Sequence, residues 1–168
     1  MFYIILAILI FVFFYALFLD GKHKIDIKYE EESNYLDENF TKNPRVIFKA
    51  DKKRYHFKSA FIGIYIENNM NENITVDKNY EIEVLNDEDN KWYKLPVENI
   101  EDTSKKIVLK PKDSIYQNVF IDQYKNLKPC SLRIIKKVEI GENIEIYNTD
   151  ISIHNKKAIK EAVKKEES

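Results

Sequence analysis

SAFIGIYIENN, residues 59–69, places Ala60, Ile62, Ile64 and Ile66 at every second position. A period of two marks a strand with one face turned to a core, and isoleucine suits that pleated surface. The alternation recurs on both sides. Upstream, RVIFK (45–49) opens the series just after Pro44. Downstream, NYEIEVL (79–85) sets Tyr80, Ile82 and Val84 against Glu81 and Glu83. NDEDN (86–90) then reads as a polar hairpin turn before KWYKLPV (91–97), which carries the only tryptophan. KIVLK (106–110), SIYQNVFI (114–121), SLRIIKKVEI (131–140) and NIEIYNTDISI (143–153) continue the pattern, with Gly141 at the last hairpin. No long segment between Pro44 and Ile153 sustains a helical period. Residues 44–153 are therefore expected to form an all-β antiparallel sandwich of about seven or eight strands.

The composition supports one folded domain with appendages. Of 168 residues 44% are hydrophobic, enough for a core. Lys+Arg 27 against Asp+Glu 28 leaves a net charge of -1, so the electrostatic footprint of a nucleic-acid binder is missing. A single cysteine, Cys130, cannot close an intramolecular disulfide.

The first nineteen residues differ in kind. MFYIILAILIFVFFYALFL (1–19) holds no charge, and at about 1.5 Å per residue it approaches the ~30 Å hydrocarbon core of a bilayer. No Lys or Arg precedes it, and Ala16 is followed by Leu17, Phe18 and Leu19, which makes a poor signal-peptidase site. Met1 to Leu19 is expected to be an uncleaved transmembrane helix with the lipid bilayer as its partner. Residues 20–43 read as a polar stalk, and residues 154–168 as a charged tail. Lys22, Lys24 and Lys28 follow the span, which by the positive-inside bias puts the domain in the cytoplasm.

Chemistry-bearing residues are sparse. His23, His56 and His154 are far apart in sequence, without the close, repeated spacing of a metal site. The acidic runs EEE (30–32) and NDEDN carry calcium-type ligands, but NDEDN lacks the glycine and distal glutamate of a calcium loop and reads as a solvated turn. Cys130 has Lys128 and Lys136 nearby but no histidine close in sequence, and a catalytic thiol needs one. No phosphate-binding glycine loop and no nucleophile elbow occur. No catalytic, cofactor-binding or metal-binding residue is assigned, no cofactor is implied, and an enzyme is not expected.

Several short motifs recur in order. Asn68 and Asn69 end a strand, and Trp92 and Tyr93 precede Pro96. Leu109, Lys110 and Pro111 precede Ser114, and Tyr124, Leu127, Pro129, Arg133, Ile134 and Lys136 close the set. Together, over roughly residues 45–153, they resemble a bacterial immunoglobulin-like domain family of Gram-positive cell-envelope proteins. The resemblance implies an Ig-like sandwich, no catalytic group, and a surface location opposed to the lysine bias. It implies a binding or scaffolding module with a protein or cell-wall partner; the lysine bias instead suits a small subunit of a membrane complex, facing the cytoplasm. Cys130 stands at the family's turn glycine, where glycine would permit a positive φ; cysteine there either carries a small strain or uses another turn, and Lys112-Asp113 follow Pro111 where glycine is common. Trp92 is expected to be buried against Leu95 and Ile64.

Overall fold

The computed structural model describes residues 25–97, 106–125 and 127–155. Met1 to Leu19 and all but the start of the 154–168 tail lie outside the described residues. Among the described residues, no helix is long and apolar enough to cross a membrane.

Strands make up more than half of the described residues, and helix is limited there to a 3-10 turn at Asp37–Asn39. The strands are β1 (Ile25–Asp26), β2 (Val46–Ala50), β3 (Arg54–His56), β4 (Phe61–Asn68), β5 (Ile74–Val76) and β6 (Glu81–Asn86). They continue with β7 (Lys91–Leu95), β8 (Ile107–Leu109), β9 (Ser114–Phe120), β10 (Tyr124–Lys125), β11 (Cys130–Ile140) and β12 (Asn143–His154). One sheet has the order β2-β4-β9, antiparallel throughout. The other is built on the long hairpin β11-β12, whose turn Gly141 takes at φ 57. β6 and β5 pair with the two ends of β11's free edge, β7 extends β6, β8 extends β5, and β3 runs parallel to β12. A two-residue parallel pair, β1-β10, sits apart.

The inward rows are those that the alternation marks. Ile62, Ile64 and Ile66 are fully buried, with Ile82, Val84, Leu132, Ile134, Val119 and Ile151 around them. Ala60, expected on the same face, is exposed and lies just before β4. Two core clusters fill the space between the sheets, one around Ile62 and Ile134 and one around Ile66 and Val138, with Phe48 packed against both.

Two expectations are corrected, and the turn left open at Cys130 is decided. Residues 25–43 do not stand off as a stalk: Glu32 bridges to Tyr93, and the Ser33 and Lys94 amides bond to Trp92 and Glu31 carbonyls. The Thr41 amide bonds to the Ile146 carbonyl, and Phe40 is buried at 6% exposure. An apolar residue at the end of a polar segment, beside an edge strand with free carbonyls, supplies the reason to dock. Cys130 is the first residue of β11, paired with Ile153, and among the described residues the non-glycine ones at positive φ are Asn90 and Lys112. The glycine-like conformation thus falls after Pro111, and the Pro129 turn needs none. Trp92 is only partly buried and faces outward, because Leu95 and Tyr93 occupy the inward register of β7.

Candidate binding surface

Four of the motif residues, Asn68, Tyr124, Arg133 and Lys136, prove to be polar struts of the sandwich. Asn68 is fully buried; its Nδ2 donates to the carbonyls of Glu72 (2.8 Å) and Leu109 (2.9 Å), and its Oδ1 accepts the Met70 amide. It ties the end of β4 to β8. The Tyr124 hydroxyl donates to the Pro96 carbonyl at 3.1 Å. Lys136 is buried at 1% exposure; its Nζ reaches the carbonyls of Asp77 and Asn79 and Gln117 Oε1, with the Asp77 carboxylate 3.6 Å away. Burial pulls its pKa down to about 8, against the pull of Asp77.

On the outer face of the larger sheet, register sets Lys94, Glu83, Arg133 and Asp150 in one row of alternating charge. Arg133 pairs with Asp150 and Asp37 at 3.0 Å each, and its guanidinium lies 4.1 Å from the Trp92 ring and 5.0 Å from Phe40. Glu83, on the face opposite Ile82 and Val84 as the alternation has it, is nevertheless fully buried where the N-terminal segment docks. Burial raises its pKa, with Ser33 and Arg133 pulling it back. Lys94 through Glu31 and Arg133 through Asp37 hold the segment to the sheet.

Cys130 borders an open cleft of about 820 Å³ with Asp26, Tyr29, Phe57, Asp87 and Lys128. Its half-buried thiol is pushed up to about 12 by burial and then by Asp87, the reverse of a nucleophile's environment. Folding sets His154 beside His56 on parallel strands, and both stand at strand ends. His23 lies outside the described residues, and among those described no group of three His, Cys, Asp or Glu could hold a metal ion. Two of the acidic run's residues instead meet β7, Glu31 with Lys94 and Glu32 with Lys91. NDEDN is the expected turn, closed by the Asn90 amide on the Asn86 carbonyl.

The outer face of β2-β4-β9 is different. Four aromatic residues among those described are strongly exposed: Tyr29, Phe61, Tyr116 and Phe120. Three of them share this face. Phe61 and Phe120 are register partners with rings 6.5 Å apart, edge to face. Tyr116 lies across Gly63, where an added Cβ would fall 1.7 Å from the tyrosine hydroxyl, and that hydroxyl donates to Asp51. Glycine here makes room for a ring laid on the sheet. The sequence shows these aromatics as strand residues but not that an uncovered face gathers them, since that depends on which face the second sheet covers.

A family model described as bacterial Ig-like domain matches residues 42–157. No curated protein matches the chain. Among solved structures, a β-glucosidase from Erythrobacter marinus is similar with 8% identity and a TM-score of 0.35, over 65% of this chain and 16% of that chain. So low a score supports no inference about fold or activity.

Proposed function

Because the chain belongs to the bacterial Ig-like domain family, matched over residues 42–157, we propose that it is a non-enzymatic binding module of the Gram-positive cell envelope. Met1 to Leu19 anchors it in the membrane, and the sandwich presents its open aromatic face to a protein or cell-wall partner. The observation that carries this reading is the exposure of Phe61, Tyr116 and Phe120 together on one sheet face. Apolar rings on a rigid sheet suit a binding surface, because they offer area at little entropic cost. Co-sedimentation of the full chain with isolated cell-wall sacculi tests it. The doubly substituted Phe61→Ala/Phe120→Ala chain should lose binding at least tenfold while its unfolding midpoint stays put. Equal sedimentation of both chains would remove the face from the reading.

A second reading rests on Lys22, Lys24 and Lys28, whose position after the apolar run favours a cytoplasmic domain in a membrane complex. Protease treatment of intact cells separates the two: cleavage of the domain supports surface display, and protection supports the complex subunit.

A further inference from the structure

Sheet edges expose unpaired amides and carbonyls, and proteins blunt them with charge, brevity or a cover. Most free edges here are blunted. β2 carries Lys49 and β3 carries Arg54; β7 carries Lys91 and Lys94 and takes the Glu32 bridge, and β8 has three residues. β9 is the exception. SIYQNVF runs seven residues with no charge, proline or glycine, and among the described residues its one pairing partner is β4.

Antiparallel geometry fixes which backbone groups that edge exposes. The Asp113 carbonyl and the Ile121 amide both bond toward the β4 side, to Asn68 and Ala60. Both groups of a residue in such a ladder point the same way, and the direction reverses at each residue. Ile115, Gln117 and Val119 therefore face β4, while Ser114, Tyr116, Asn118 and Phe120 face the free edge. At Phe120 the groups are already used: its amide donates to the Tyr80 hydroxyl and its carbonyl accepts Gln123 Nε2. Tyr116 and Asn118 are exposed, and their backbone groups on that side have no partner among the described residues.

We propose that β9 pairs with β9 of a second copy of this chain about a two-fold axis through Gln117. That axis sets Tyr116 opposite Asn118 of the second copy, and Asn118 opposite its Tyr116. Each facing pair exchanges two hydrogen bonds, so the four free backbone groups of Tyr116 and Asn118 in each copy are satisfied, while those of Ser114 stay with solvent. The occupied Phe120 end then falls opposite Ser114 and stops the ladder. The match of free donors to free acceptors is self-complementary, as a closed two-fold contact requires, and an uncharged strand carries no repulsion against its own copy. The outcome is a six-stranded sheet with Tyr116 of both copies at its centre and a Phe61-Phe120 pair toward each end. The pairing uses the edge rather than the aromatic face, so it stands or falls apart from the partner proposed above.

The test uses full chains carrying Cys130→Ser, solubilised in detergent. One sample bears Tyr116→Cys, another Asn118→Cys, and a third mixes the two. Facing residues of a hydrogen-bonded pair lie about 5.5 Å apart between Cα atoms, within disulfide reach, whereas 116 to 116 and 118 to 118 lie on the longer diagonal. Mild oxidation should give a disulfide-linked dimer at least tenfold more abundant in the mixture than in either sample alone. Equal yields in all three, or no linked dimer in the mixture, would overturn the register. The unsubstituted chain supplies a measurement free of folding effects. Hydrogen exchange at the Tyr116 and Asn118 amides should slow at least tenfold as the chain concentration rises through the dimerisation range, with the β2 amides unchanged. Concentration-independent exchange, or assemblies larger than a dimer, would overturn the proposal.

Discussion

At the scale of single residues, the chain's recognisable positions are polar groups taken out of water. Asn68, Arg133 and Lys136 are all 4% exposed or less, and each meets backbone carbonyls, backbone amides or carboxylates. A motif built of such struts marks a fold rather than a site. Lys136 makes this measurable. Its folded pKa lies near 8 against an ordinary 10.5, so between those values the unfolded chain binds more protons and stability rises with pH. Lys136→Met keeps the stem but strips the carbonyls of Asp77 and Asn79 of their donor, at a cost of about 1–3 kcal/mol. Every other group still titrates in the variant, so urea unfolding of both chains isolates the lysine. The wild type should gain about 2 kcal/mol on the variant from pH 8 to pH 10. Parallel curves would mean that the lysine titrates normally. Cys130 gives the second residue-scale test. With its thiol near 12 instead of the ordinary 9, native Cys130 should alkylate with iodoacetamide at pH 8 about a thousandfold more slowly than in urea. Comparable rates would contradict the burial seen here.

At the scale of elements, alternation located eight of the strands to within a few residues, since hydrophobic patterning follows from having one buried face. It missed β1, β3, β5 and β10, which have two or three residues each. Segments so short show no period of their own; β8, equally short, was located only through the apolar run of KIVLK (106–110). The same limit hid the docked segment. Nothing within EEESNYLDENF announces that Phe40 will be buried at 6% exposure, because its neighbours are supplied by β11 and β12 a hundred residues on. The aromatic face was legible residue by residue, and its location was not. Two substitutions weigh the docked segment. Phe40→Ala should cost about 3 kcal/mol and loosen the segment over Trp92, shifting tryptophan emission to the red. Asp37→Ala should cost under ~1 kcal/mol, since Asp37 is 88% exposed and water screens its pairing with Arg133. Chemical denaturation followed by fluorescence checks both. Equal costs would mean that charge, not burial, holds the segment down.

At the scale of the whole molecule, the question is whether two core clusters make one folding unit or two. One cluster gathers Ile62, Ile64, Leu132, Ile134, Ile151 and Ile153, and the other Ile66, Val138, Ile140 and Tyr147. Each long strand, β4, β11 and β12, contributes to both. Breaking one cluster would leave half of three strands without a packed face, and a half-buried strand of this kind has little stability of its own. Phe48, partly buried between the clusters, adds a direct contact. The domain should therefore unfold in a single transition. Trp92 emission reports on the end of the sheet near the first cluster, and amide exchange at Ile74 and Val138 reports on the second. Their midpoints in urea should coincide. In Phe48→Ala both should fall together, by the same amount, because the clusters remain joined through the three strands. A lower midpoint at Ile74 and Val138 alone would show that the strands do not couple the clusters and that Phe48 does.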